Sequence, residues 1–493
     1  MRGAFLALLL LLLASSLISA ASPDTLWTRT LEGSYSESAW YVEETSDYGY
    51  VITGYTDSTA QGEGGIYRDI YIVKLDQYGG FAWEKTYGEE ANDEVAGSAK
   101  ETRDGGLIVA GYAYDQFGAE SANFYLMKLD ALGNFLWDND YDFNNAGDAG
   151  TDACQTLNGG YIIVGTSIYY STSQGMYDWG ANIVRTNSYG AEQNHILVDK
   201  PGDQHLNRVV PTADSGAIAV GIAAGMYIVK IDKYGDTTWT KEYGGVGEGW
   251  SILQLADGGY VAFGDRTFSA PEMKDFWLIR LNSAGDILWT RRYRNAESDL
   301  GYGLDQTRDG GFIMAGELHP GADVDRTDLY IIRTNSNGDT LWTKTIGGER
   351  NEHAYCVKQA SDGGYIIAGT TDFYGNDPDF YIVKLAADNA TGVTDDRESL
   401  PLSFTLGANY PNPFNPLTTI EYSVPSRAHV SIEVFDVLGR KVRTLVDEPR
   451  SAGSHRVVWN GCDNAGQPVS TGLYLYRLKA DDLVQTRKMM LLK

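Results

Sequence analysis

The pattern of apolar and polar positions in this chain is short, regular and repeated. From Asp362 to Leu385 it reads DGGYIIAGTTDFYGNDPDFYIVKL. Two runs rich in β-branched and aromatic residues flank a polar loop, which predicts strand, loop, strand. The same phrase recurs. Its first strand reads YGYVITG at Tyr48, GGLIVAG at Gly105, GGYIIVG at Gly159 and SGAIAVG at Ser215, then GGYVAFG at Gly258, GGFIMAG at Gly310 and GGYIIAG at Gly363. The copies lie about fifty residues apart, a period of solenoids and propellers.

Each copy continues in the same order. A second strand follows, such as YIVKLD at Tyr71 or YIIRTN at Tyr330. A tight turn leads to a third strand carrying Trp83, Trp137, Trp239, Trp289 or Trp342, and a fourth precedes the next Gly-Gly pair. Four short strands per unit describe a propeller blade. The third copy lacks its tryptophan near Gln193, and the seventh lacks its last strand. DTLWTRTLEG near the start of the chain is a tryptophan strand with no blade before it, and Trp27 fits the vacant place. The expected fold is all-β: a seven-bladed β-propeller closed by an N-terminal strand, which removes an open sheet edge. A linear β-solenoid is the alternative, but it leaves the displaced strand unexplained.

The pattern changes after Lys384. AADNATGVTDDRESLPLSF is polar and without period, and reads as a linker over 388–403. Beyond it, TIEYSV and HVSIEVFDV alternate as half-buried strands do. About seven short strands in the last ninety residues predict a C-terminal immunoglobulin-like β-sandwich over 404–493. The propeller is expected over 22–387.

Charge sharpens this boundary. Residues 22–403 hold 27 Lys/Arg and 58 Asp/Glu, a net of −31; residues 404–493 hold 11 and 8, a net of +3. So acidic a body repels phosphate, so no nucleic-acid partner is expected. The first residues, MRGAFLALLLLLLASSLISAAS, read as a secretory signal peptide over 1–21: a positive start, a short apolar run and small residues for cleavage. No later stretch is apolar enough to span a bilayer, so no transmembrane segment is expected in the mature chain. Three cysteines, Cys154, Cys356 and Cys462, form no disulfide framework and no C-x-x-C pair.

The tail carries a specific motif set: Pro411-Asn412-Pro413-Phe414-Asn415-Pro416, Gly439-Arg440, Gly453 with His455, Trp459-Asn460-Gly461, Gly472-Leu473-Tyr474, and the closing Lys488 and Lys493. These residues resemble the C-terminal sorting domain of proteins exported by the type IX secretion system, related to an immunoglobulin-like module of flagellar hook-cap proteins. The resemblance implies an outer-membrane export machinery as partner, a two-membrane bacterium, and a secreted or outer-surface location. In that family the domain is usually cut off, and the passenger is released or tethered to surface lipopolysaccharide. The propeller repeats are similar to those of uncharacterised bacterial secreted proteins and imply no activity.

The repeats carry no catalytic motif: no H-E-x-x-H, no G-x-S-x-G, no phosphate loop. If the strands run in the order read, the Gly-Gly turns share one face. The loops that vary in length share the other, where function concentrates on a rigid frame. Aromatic residues accumulate there: Tyr112, Tyr114, Tyr169, Tyr170, Tyr177, Trp179, Phe268, Phe373 and Tyr374. Tyr114, Tyr170, Trp179, Phe268 and Tyr374 are the candidate ligand-binding residues, because aromatic faces beside carboxylates suit sugar rings. A glycan or a surface protein is the expected ligand. Asp323, Asp325 and Asp328 in DVDRTD, with Asp377 and Asp379 in GNDPDF, are candidate calcium ligands, and no other cofactor is expected. A non-catalytic binding or adhesion scaffold is the leading reading, and a secreted carbohydrate-active enzyme, a hydrolase or lyase, is the alternative.

Overall fold

A computed structural model describes residues 21–493 except 32–35, 60–65, 89–91, 115–121, 144–146, 172–175, 199–201, 269–272, 295–297, 320–325, 374–375, 389–404, 411–413, 415–417, 425–427, 451–452, 465–466, 468, 481–482 and 492–493. All but the last residue of the expected signal peptide lie outside the described residues. So does the expected linker, apart from Asp388. Two compact units divide the chain, Met1–Asn389 and Ala390–Lys493.

Among the described residues the first unit contains seven four-stranded antiparallel sheets. Six take four consecutive strands each. In the first sheet these are Glu37–Glu44, Tyr50–Thr59, Ile66–Leu75 and Phe81–Tyr87. The seventh takes Asn351–Gln359, Tyr365–Phe373 and Asn376–Leu385, and its fourth strand is Thr25–Leu31 from the other end of the unit. Neighbouring sheets share apolar faces. Val51, Ile70 and Ile72 of the first meet Ala96, Val109 and Met127 of the second. Ile52 and Val73 of the first meet Ala368, Phe380 and Ile382 of the seventh, so the ring closes. In the first two sheets the leading strand is mostly buried and the fourth alternates exposed and half-buried; residues of all seven leading strands line one cavity, so these strands line the axis.

The repeated phrase now has a physical account. In five copies the first glycine of the Gly-Gly pair adopts positive φ, as at Gly105 (φ 78). Where the sequence departs from glycine, Tyr48 and Ser215 take the same conformation at φ 64 and 72. The cation of YIVKL is buried beneath that turn and pairs with its aspartate. Lys384 Nζ lies 2.9 Å from Asp362, Lys74 Nζ 2.8 Å from Asp47, and Arg333 pairs with Asp309 at 2.6 Å. The third sheet is the exception: Asn158 replaces the aspartate, and Arg185 turns to Gln193. Each outer tryptophan lies against the turn of the next sheet. Trp27 covers Gly79 (φ 80) and meets Tyr50 at 6.3 Å between ring centroids. Trp342 meets Tyr365 at 5.8 Å and donates Nε1–H to Asp388 at 2.8 Å. Asp388 also accepts from Tyr365 and Arg333, so it belongs to the propeller, one residue beyond the expected boundary.

The second unit packs a three-stranded sheet (Thr405–Tyr410, Thr418–Val424, Gly453–Trp459) with a four-stranded one (Lys441–Arg450, Ala428–Asp436, Gly472–Ala480, Leu483–Leu491). Its core holds Phe414, Trp459, Tyr474 and Tyr476.

Candidate functional site

The inner strands carry an irregularity that builds the site. Each has a β-bulge at one shared position, between Ala39 and Tyr41 in the first sheet and between Gly249 and Ser251 in the fifth. The bulged residues are Trp40, Gly97, Thr151, Asn207, Trp250, Tyr302 and Tyr355. A bulge leaves one residue unpaired and re-aims its side chain. All seven are half-buried, six of them between buried neighbours, and all seven line one cavity of ≈ 360 Å³ on the axis.

The last glycine of each GGYIIAG phrase makes room for the bulge. It pairs with the residue just before the bulge, as Gly264 does with Gly249. A Cβ at Gly264 would sit 1.9 Å from the carbonyl oxygen of Glu248, and one at Gly54 1.7 Å from that of Ser38. The repeated glycine and the varied channel residue are thus two parts of one device.

The cavity is two-sided. Trp250 and Tyr302 meet edge to face at 5.1 Å, Tyr302 and Tyr355 at 5.2 Å, and Trp40 stands against Tyr55 at 5.6 Å. The fifth, sixth, seventh and first sheets therefore supply an aromatic arc, and the second to fourth supply Gly97, Thr151 and Asn207.

Carboxylates stand behind the arc. Asp265 accepts from Trp250 Nε1 at 3.3 Å and pairs with Lys274 at 3.0 Å. Glu248 accepts from Asn207 at 2.9 Å, and Glu317 holds His353. Burial raises the Glu248 and Asp265 carboxyls above the usual range, against the pull of Asn207 and Lys274. Burial, with Glu317 adding to it, pushes the Tyr355 phenol up to about 12.

Further along the inner strands, toward the Gly-Gly turns, the axis becomes charged. Asp152 is fully buried, with Lys100 Nζ at 2.7 Å and the Val209 N–H at 2.8 Å. The Arg208 guanidinium lies 5.0 Å from the centroid of the Tyr41 ring, Lys100 Nζ 5.6 Å and Lys358 Nζ 6.0 Å.

The described aromatic candidates read from the sequence, Tyr114, Trp179 and Phe268, stand in or beside three different sheets and do not converge. Tyr114 is half-buried against Tyr112 at 5.5 Å, and of the two only Tyr112 lines the axial cavity. Trp179 is 38% exposed and stacks near His205 at 5.6 Å. Phe268 packs on Trp277 at 6.4 Å with Arg292 at 4.2 Å, away from the axial cavity. The side chains of Tyr170 and Tyr374 lie outside the described residues. So do Asp323 and Asp325. Asp328 is buried at the start of a strand, with Arg326 at 3.8 Å. Among the described residues no three His, Cys, Asp or Glu side chains converge as a metal site. The residues that line the axis went unselected, although a readable signal marks them: each stands eight positions before the first residue of its Gly-Gly pair.

In the second unit, Gly439 (φ 76) turns a hairpin, and Arg440 pairs with Asp436 at 2.7 Å while remaining exposed. Tyr474 donates its hydroxyl to Ser470 O at 2.6 Å and packs edge to face on Trp459 at 5.1 Å. Gly472 opens its strand and Lys488 is exposed. Pro411, Asn412, Pro413 and Lys493 lie outside the described residues.

Residues 416–483 match the family model described as the FlgD Ig-like domain. No curated protein matches the sequence. Among solved structures, the chain is similar to a protein of unknown function from Bacteroides caccae, at 12% identity and TM-score 0.38, covering 59% of this chain and 93% of that one. It is similar to PorZ of Porphyromonas gingivalis at 11% and 0.36, covering 91% and 69%. It is similar to a protein of unknown function from Dyadobacter fermentans at 11% and 0.42, covering 73% and 99%. Likeness at this level carries no argument about activity. Among the described residues no helix is long and apolar enough to cross a membrane.

Proposed function

We propose that this protein is an exported β-propeller that binds a carbohydrate in its axial cavity, delivered to the cell surface or beyond by its C-terminal immunoglobulin-like domain. The observation that carries the binding reading is the aromatic arc of Trp250, Tyr302, Tyr355 and Trp40 facing Thr151 and Asn207 across ≈ 360 Å³. Pyranose rings present apolar faces and hydroxyl edges, and this cavity offers a surface for each. Screening of the full chain on a glycan array, followed by titration with tryptophan fluorescence, tests it. Trp250→Ala and Tyr302→Ala should each weaken a hit at least tenfold while preserving cooperative melting. Unchanged affinity in both variants would refute the site.

The export reading rests on the tail motif set. Fusing residues 402–493 behind a signal peptide and a fluorescent passenger should carry that passenger across the outer membrane of a type IX host. Protease shaving of intact cells reads the outcome, and a passenger left in the periplasm would sink the reading.

One observation favours a hydrolytic alternative: burial beside the aromatic wall raises both the Glu248 and the Asp265 carboxyls above the usual range, the direction a general acid needs. Turnover of a bound oligosaccharide, abolished by Glu248→Gln with binding retained, would favour the enzyme. Binding without turnover favours the scaffold.

A further inference from the structure

The proposed carbohydrate site has a charged floor. Of the side chains lining the axial cavity, Arg208 alone is ionised among the described residues. Its strand places Asn207 on the bulge and Arg208 directly after it, so both reach the axis. The guanidinium lies over the Tyr41 ring, and the Asp152 carboxylate stands 4.0 Å away, beyond hydrogen-bond reach. Asp152 is already engaged by Lys100 and the Val209 amide. Lys358 has its own partner in Asp305 at 3.7 Å. Arg208 and Lys358 are thus held only by ion pairs longer than a hydrogen bond, at 4.0 and 3.7 Å, and of the two Arg208 lines the axial cavity. It presents a planar fork suited to a carboxylate.

The mouth has the opposite sign. Glu248, Asp265 and Glu317 stand behind the aromatic arc, each with a polar partner but still acidic groups. Together with the net of −31 over residues 22–403, they disfavour a second negative charge further out.

We infer, resting on the carbohydrate reading above, that the cavity selects a sugar ring bearing one carboxylate, a uronic acid, seated with that carboxylate on Arg208 and its ring against Trp250 and Tyr302. A neutral sugar would leave the Arg208 donors unpaired once water is displaced, and a polyanion would meet the acidic mouth. Selectivity then comes from one half-buried cation, and affinity from the aromatic wall.

The test is calorimetric titration of the full chain with methyl glycosides of glucuronic, galacturonic, mannuronic and guluronic acid, each beside its methyl ester and its neutral hexose. At least one uronate should bind tenfold or more tightly than its own ester and hexose, and the advantage should shrink with added salt. Arg208→Gln should erase the advantage and Arg208→Lys should keep part of it. The ester comparison needs no variant, so it decides the matter even where Arg208→Gln fails to fold. Equal binding of uronates, esters and hexoses overturns this inference and leaves the carbohydrate reading standing. Binding of none, with no glycan hit on the array, overturns both. Polygalacturonate binding more tightly per residue than the single uronate also overturns the inference.

Discussion

Two columns of the same hairpin, eight positions apart, are treated in opposite ways by the sequence. The Gly-Gly turn, its buried cation and the following tryptophan recur almost unchanged around the ring. The bulge column holds two tryptophans, two tyrosines, a glycine, a threonine and an asparagine. The first column meets the same surroundings in every sheet, because each sheet packs on a copy of itself. The second meets the axis, where no neighbour dictates shape. What varies among repeats is therefore where a ligand can be read, and what recurs is the frame that holds it.

The comparison can be broken most severely at the ring closure. Deleting residues 24–31 removes the outer strand of the seventh sheet and the Trp27 contact with Tyr50, and should cost on the order of 5 kcal/mol. A melting temperature equal to that of the full chain would contradict closure by this strand. Next comes the link between the columns. Gly264→Ala drives a methyl group into the Glu248 carbonyl, and should cost about 2–4 kcal/mol and also disturb the Trp250 side of the cavity. Trp250→Ala, in a half-buried position, should cost less than half as much. Chemical denaturation of the pair reads the difference, and equal losses would refute the division between frame and site.

A third experiment concerns the buried cation. Asp362→Asn leaves the Lys384 ammonium buried with its carboxylate gone, and should cost about 1–2 kcal/mol after allowing for the exposure of Asp362. Lys384→Met, which removes the charge and fills the same space, should be closer to neutral. A larger loss from Lys384→Met than from Asp362→Asn would show that the ion pair itself stabilises the turn.

The smallest effect is one of pH. Burial, opposed by hydrogen bonds from Ser167 and the Phe143 amide, raises the Asp148 carboxyl to about 6. The unfolded value is about 3.9. Between these values the folded chain binds a proton that the unfolded chain has released, so this group's contribution to stability falls as pH rises through about 4 to 6. Asp148→Asn should therefore melt higher than the parent at pH 7.5 and lose that advantage at pH 3.5. An advantage independent of pH would exclude Asp148 as the cause.

The four strands per unit, the displaced strand at Trp27 and a second all-β architecture in the tail were legible in the sequence. Each is written in local patterns: period-two alternation, turn glycines, a repeat that can be aligned by eye. It also held the glycine that faces every bulge, but its purpose was invisible there, because the carbonyl it avoids belongs to another strand. The choice of Trp40, Trp250, Tyr302 and Tyr355 over Tyr114, Trp179 and Phe268 was decided only by tertiary structure. The first four share a mid-strand place eight positions before the Gly-Gly turn, but that spacing says nothing of an axis until the sheets close around one. Closing seven sheets into a ring brings the leading strands of all seven to one axis, and a single inserted residue in each turns one side chain toward it. Arg208 illustrates the same limit. In the sequence it is an ordinary strand arginine, and it faces the cavity without a hydrogen-bonded carboxylate only because Lys100, from a sheet two positions away, stands closer to Asp152.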